Sequence, residues 1–299
     1  MSEQGIRVAG LRAQGALLGI TLAWGSTFVL VQRVVRDVPV LDFLGLRFGI
    51  AALIMFVLRP RTVTQLSRQE QVRGLILGLI LTAGYVLQTT GLERTSATVS
   101  AFVTGLFVVF TPIVAWFLMR KAIDSLTWLG VGLAVVGLAF LTLRGWSLGI
   151  GELLTLFGAF AFALHIVNLG RYSTRTSAYG LAVVQLATVS IFCTVLGSVN
   201  GFTLPHTRAN WLAVIFLSIF ATAIAFFVQT WAQSVISPTR AAVVMTMEPV
   251  FATAFAVIFI NEALTLRIGL GALSILAAMY LVELGPRHAE DAAIQRLEM

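Results

Sequence analysis

Apolar residues in this chain come in long blocks, not in stripes. Each block runs for roughly 19 to 24 residues and ends at a short loop carrying Gly, Pro, Ser or charge. Apolar runs of about 18 residues or more read as membrane-spanning helices. In lipid only a helix or a closed barrel satisfies its own backbone, and barrel strands would alternate over about ten residues. The pattern therefore predicts an all-α integral membrane protein with ten transmembrane spans. They fall at about residues 12–33, 40–58, 71–91, 96–119, 125–143, 149–170, 177–198, 210–233, 239–260 and 265–284. Short connections make consecutive spans antiparallel. The polar stretch beyond Pro286 reads as disordered or as a short surface helix.

The blocks repeat. Tyr85-Val-Leu-Gln88-Thr89 aligns with Phe226-Phe-Val-Gln229-Thr230 at an offset of 229 − 88 = 141. At that offset Ser96 meets Ser237, Thr98 meets Thr239, Ala101 meets Ala242, Ala115 meets Ala256, Ala122 meets Ala263 and Gly130 meets Gly271, with no gap. A weaker match at offset 138 joins the front ends: Trp24 to Phe162, Thr27 to His165, Arg33 to Arg171 and Arg47 to Gln185. The chain is thus expected to hold two five-helix repeats, residues 1–145 and 146–285, followed by a tail at 286–299. Five spans is an odd number, so the second repeat enters the membrane inverted, about a pseudo-two-fold axis in the membrane plane.

Composition agrees with the block pattern. Of 299 residues 58% are apolar and 11% charged, with a mean hydropathy of +0.94. The net charge of +7 would suggest nucleic acid in a soluble protein, but the basic residues sit in loops, where they act as topology signals. With the amino terminus inside, thirteen Lys and Arg lie on the cytoplasmic side and six outside, leaving Arg47 within a span. This bias places both termini in the cytoplasm. Met1 to Leu11 carries no apolar region followed by a small-residue cleavage site, so the first span is expected to be retained. Low Lys with abundant Arg, Ala and Gly points to a GC-rich bacterial gene, hence the bacterial inner membrane. The single cysteine, Cys193, forms no internal disulfide, and no metal-ligand spacing occurs.

Candidate chemistry is sparse. Ionisable groups at membrane depth usually face a cavity or a partner. Arg47, Glu248 and His165 are the candidates here. Arg47 lies eight residues from Pro39, about 12 Å along a helix. It and Glu248 are candidates for a coupling charge or for a structural ion pair. Tyr85 and Gln88 share a helix face, as do Phe226 and Gln229 in the other half. Trp24, Thr27 and Phe28 share a face whose repeat mates are Phe162, His165 and Ile166. A two-fold axis would bring these four faces together as an aromatic-walled cavity with a few polar groups, the usual build of a small-molecule site. Taken singly, each of these residues reads equally well as packing or as lipid-facing. Pro112 and Pro249 are 137 apart, not 141, so the two halves are expected to bend at different depths. Gly15/Gly19, Gly45/Gly49 and Gly74/Gly78 sit four apart, as close helix contacts require. Gly145-Trp146-Ser147-Leu148-Gly149 matches a serine-hydrolase elbow, but it lies in a loop between membrane helices, without the strand-turn-helix setting that motif needs. No catalytic residue, cofactor or metal site is expected.

The order and spacing of several short motifs resemble the drug/metabolite transporter superfamily, EamA type. These are Ala23-Trp24-Gly25-Ser26, Arg47, Glu248-Pro249 and Asn261-Glu262, over residues 12–284. Within it the chain is most similar to YddG-type exporters. The resemblance implies a bacterial inner-membrane exporter of small amphipathic metabolites, such as neutral or aromatic amino acids, working by alternating access. Its partners would be the small-molecule substrate and the lipid bilayer, with no nucleic acid and no obligate protein partner. Lys121 stands where many relatives carry an acid, as Glu262 does in the second half. Drug efflux and exchange of sugar nucleotides or phosphorylated metabolites are alternatives; the latter should hold several buried Lys or Arg. A non-transporting scaffold and an intramembrane enzyme are alternatives of other classes. Proton antiport would run through His165 or Glu248, whereas facilitated export needs neither.

Overall fold

The computed structural model describes residues 3–119, 125–144, 147–174, 176–236, 238, 241 and 244–297. Lys121, Arg175, Arg240, the repeat matches at Ser237, Thr239 and Ala242, and Gly145-Trp146 at the expected repeat boundary lie outside these residues.

Helices lie along the predicted spans, the ninth, expected at 239–260, being described as a helix from Met247 onward. They are α1 (Glu3–Val34), α2 (Val40–Leu58), α3 (Arg68–Leu92), α4 (Ala97–Gly105 and Phe107–Met119) and α5 (Ser125–Thr142). Next come α6 (Ile150–Tyr172), α7 (Ala178–Gly197) and α8, which runs from Arg208–Ser218 through a π-helical segment at Ile219–Ile224 to Ala225–Gln233. The last two are α9 (Met247–Ile260) and α10 (Leu266–Leu297). Apart from a two-residue antiparallel pair, Leu143–Arg144 with Ser147–Leu148, the described secondary structure is helical. Seven of the helices are long and apolar enough to cross a membrane, while α5, α9 and the apolar part of α10 are shorter. Large apolar side chains such as Leu53, Phe117, Ile191 and Phe259 point outward. That surface would be a liability in water and suits lipid, so the chain is a multi-pass membrane protein. Beyond Pro286 the backbone continues α10 as helix instead of breaking from it.

Local signals explain several boundaries. Ser67 caps α3: its hydroxyl accepts from Glu70 N at 3.2 Å, and its own N–H donates to Glu70 Oε2 at 2.9 Å. Thr207 caps α8 in the same way, at Asn210 N. Asn261 ends α9 in the left-handed conformation, with φ of 52°.

The helices pack in matched pairs. α3 lies along α6 and α1 along α8; α2 lies along α7, α5 along α10, α9 against α1 and α4 against α6. Small residues set the spacing around α7. Gly45 and Gly49 of α2 face Thr194 and Ser190, while Gly74 and Gly78 of α3 face Val184 and Thr188. A Cβ added at Gly78 would stand 2.5 Å from Thr188 Cβ. Gly15 and Gly19 meet nothing within 4 Å, so the spacing rule held for two glycine pairs and failed for the third.

The interruptions in α4 and α9 differ from expectation. α4 breaks at Leu106, ahead of Pro112, which sits inside its second piece. α9 begins after a turn at Met245–Thr246. At offset 141 Leu106 corresponds to Met247, so the two breaks lie in nearly the same register. Tight tertiary packing accounts for this, because the breaks meet: a Cβ on Gly105 would contact Met279 and Pro249.

Candidate functional site

One cavity lies among α1, α3, α4, α6, α8 and the start of α9. It is narrow, with a volume of about 50 Å³.

Of the ten residues expected on the four repeat-related faces, nine line this cavity and Phe28 does not. Trp24 and Thr27 come from α1, Tyr85 and Gln88 from α3, Phe162, His165 and Ile166 from α6, and Phe226 and Gln229 from α8. Their rings form a connected wall. Tyr85 meets Phe162 at 5.2 Å and Phe226 at 6.0 Å between centroids, and Phe226 meets Trp24 at 5.8 Å. Edge-on and tilted contacts at these distances are favourable ring geometries. Glu248 lines the cavity too, and Arg47 does not.

The polar groups on this wall are largely paired off. Trp24 Nε1 donates to Ala221 O at 2.9 Å, and Thr27 Oγ1 donates to Trp24 O at 2.7 Å. Gln88 Nε2 donates to Thr104 Oγ1 at 3.1 Å. His165 Nε2 lies 2.7 Å from Gln185 Oε1, while Gln185 Nε2 donates to Leu181 O at 3.1 Å. A backbone carbonyl only accepts, which fixes the Gln185 amide and makes His165 Nε2 the donor. Two groups are left over. Gln229 Oε1 is buried without a partner. The Glu248 carboxyl, 8% exposed, takes part in no hydrogen bond or ion pair among the described residues.

Arg47 sits behind the wall, 2% exposed. Its Nε donates to Thr222 Oγ1 at 2.7 Å and its Nη2 to Ala221 O at 3.2 Å. Its guanidinium lies 5.5 Å from the ring centroids of both Phe48 and Tyr85. Both hydrogen-bond acceptors belong to the π-helical segment of α8. The wider turn there presents the Ala221 carbonyl to two donors at once, Trp24 and Arg47. Arg47 thus ties α2 to α8 at the carbonyl that also holds Trp24. No described carboxylate pairs with it. No cluster of His, Cys, Asp and Glu able to hold a metal occurs among the described residues.

A profile of the EamA-like transporter family matches residues 12–143 and, separately, residues 149–284. The chain belongs to the EamA-like transporter family. This EamA-like chain is 32% identical over 278 residues to an uncharacterized transporter of Archaeoglobus fulgidus, across 93% of this chain and 87% of that protein. It is 23% identical to the uncharacterized transporter YoaV of Bacillus subtilis, across 89% and 94%. It is 25% identical to the uncharacterized inner membrane transporter YedA of Escherichia coli K12, across 80% and 79%. A solved crystal structure shares the fold at a TM-score of 0.70 and 16% identity, over 97% of this chain and 100% of that one.

Sequence reasoning missed four lining residues of the EamA-like cavity: Leu81, Thr104, Phe107 and Met245. The signal for three of them was the repeat itself. Carried into α4, offset 141 pairs Thr104 with Met245 and Phe107 with Glu248. Six such pairs make up twelve of the fourteen lining residues.

Proposed function

We propose that this transporter exports small amphipathic metabolites, amino acids with neutral or aromatic side chains among them, and belongs with the YddG-type exporters. It works by alternating access between two inverted five-helix repeats, residues 1–145 and 146–285, with ten spans and both termini in the cytoplasm of a bacterial inner membrane. The observation that carries the reading is that the four repeat-related faces, each chosen from the sequence, line one aromatic cavity. The separate match of each half to the same family profile supports the repeat, as does the matched packing of the helices. The cavity is bordered by two broken helices, which in transporters commonly flank a substrate site near the midplane. Aromatic rings supply apolar walls, and Gln88, Gln229, Thr27 and His165 supply the polar lining. The lining holds no Lys or Arg among the described residues, which counts against sugar nucleotides and phosphorylated metabolites as cargo.

The test is counterflow in proteoliposomes holding the purified chain, screened with labelled amino acids and related amphipathic metabolites. Uptake of neutral or aromatic amino acids above empty vesicles is expected. Counterflow of phosphorylated metabolites alone would overturn the substrate class, and no counterflow of any compound would overturn export.

A further inference from the structure

We infer that the cavity recognises its substrate by a positively charged amino group, held at the Glu248 and Gln229 side, and that its described lining offers no cationic side chain to a substrate carboxylate. The inference rests on reading the cavity as the transport site and narrows the cargo to one charge requirement.

The repeat shows where the symmetry of the site fails. In the first half Gln88 Nε2 donates to Thr104 Oγ1. The mate of Thr104 is Met245, which offers no hydroxyl to the Gln229 amide, and Gln229 Oε1 is buried without a partner among the described residues. Similarly, the mate of Phe107 is Glu248, so an aromatic ring on one side of the axis faces an acid on the other. Both departures fall at the α8–α9 side of the cavity. They give an otherwise paired site a polar end and an apolar end.

The inventory of hydrogens points the same way. The indole N–H of Trp24, the hydroxyl of Thr27, the Nε2 hydrogen of His165 and one amide hydrogen of Gln88 are taken up by protein acceptors. Arg47, the cation expected within a span, is turned to Thr222 and Ala221, with its guanidinium against the Tyr85 ring. What remains in the described lining is the unpaired carboxyl of Glu248, with only neutral donors on Tyr85, Gln88 and Gln229, among ring faces whose quadrupoles attract cations. An unpaired acid in such a site is costly until a partner arrives, and an ammonium group supplies both the charge and the donors. A carboxylate would meet Glu248 and ring faces of the same sign, with no Lys or Arg among the described lining residues to offset them. The bound molecule is therefore oriented with its amino group at Glu248 and its apolar body towards Phe107.

The test compares four compounds of similar shape and different charge on the full chain in nanodiscs, by calorimetric titration. They are phenethylamine, L-phenylalanine methyl ester, 3-phenylpropionate and N-acetyl-L-phenylalanine. The two amines are expected to bind at least ~10-fold tighter than the two anions, a preference on the scale of one charge-assisted hydrogen bond. Glu248→Gln should remove most of that preference. Met245→Thr, which places a hydroxyl by the Gln229 amide as Thr104 does for Gln88, should weaken the amines severalfold; it keeps the proposal testable if Glu248→Gln does not fold. Anions binding as tightly as amines, or an amine preference unchanged in both variants, overturns the inference and leaves the cavity as the transport site. No binding of any of the four overturns the reading of the cavity itself, and the inference with it.

Discussion

Arg47 is the place where the energetics can be worked through most fully. Its two hydrogen bonds, at 2.7 and 3.2 Å, join α2 to the π-helical segment of α8. Arg47→Lys keeps a cation at the same depth, so the burial cost of a charge, about 2.5–3.5 kcal/mol on insertion scales, stays the same. What changes is the planar fork. An ammonium on a flexible stem does not reproduce the paired reach of Nε and Nη2, so one of the two charge-assisted bonds goes, at a cost of about 1.5–3 kcal/mol. Arg47→Met loses both bonds, about 3–6 kcal/mol, and recovers the roughly 2.5–3.5 kcal/mol of burying a cation. The two variants should therefore be destabilised to within about 1 kcal/mol of each other, by this arithmetic. Equilibrium unfolding in mixed micelles, followed by tryptophan fluorescence as the denaturing detergent fraction rises, measures both. A Lys variant as stable as the wild type would refute the view that the bidentate grip matters. A Met variant far worse than the Lys variant would refute the claim that burying this unpaired cation is costly.

Two further substitutions test the packing and the caps. Gly78→Ala drives a methyl into Thr188 and should cost about 1–3 kcal/mol of stability, whereas Gly19→Ala meets open space and should cost nothing; thermal unfolding of the purified variants compares them directly. Ser67→Ala removes the reciprocal cap at the start of α3 and should cost about 1 kcal/mol, seen as faster amide exchange over residues 68–71.

The apolar blocks made the helices legible, because length and continuity alone separate a span from a strand. The four faces of the cavity were legible because duplication put Tyr85 with Phe226 and Gln88 with Gln229 at one fixed offset. Three things were not. The role of Arg47 depends on a π-helical segment in α8, and nothing in Ile219–Ile224 marks a wider turn: the residues are ordinary helix formers in lipid, and tertiary hydrogen bonding selects the conformation. The break in α4 was assigned to Pro112, the strongest local breaker, whereas the chain interrupts at Leu106, beside Gly105, where α9 and α10 press closest. Gly15 and Gly19 had the spacing of a close contact, but a Cβ on either would meet no described residue within 4 Å. In each case a local rule was outweighed by what another helix did. The repeat offset, which carries information between helices, was the more reliable guide.

The most direct test of the account is counterflow of labelled phenylalanine into proteoliposomes by Gln88→Ala and Gln229→Ala, each checked for wild-type folding by its unfolding transition. If the cavity carries the substrate, both variants lose most of the transport rate. Gln229→Ala should lose more, since Gln88 already has Thr104 as a partner and Gln229 Oε1 has none. Wild-type rates in both folded variants would contradict the account and move the transport path away from this cavity.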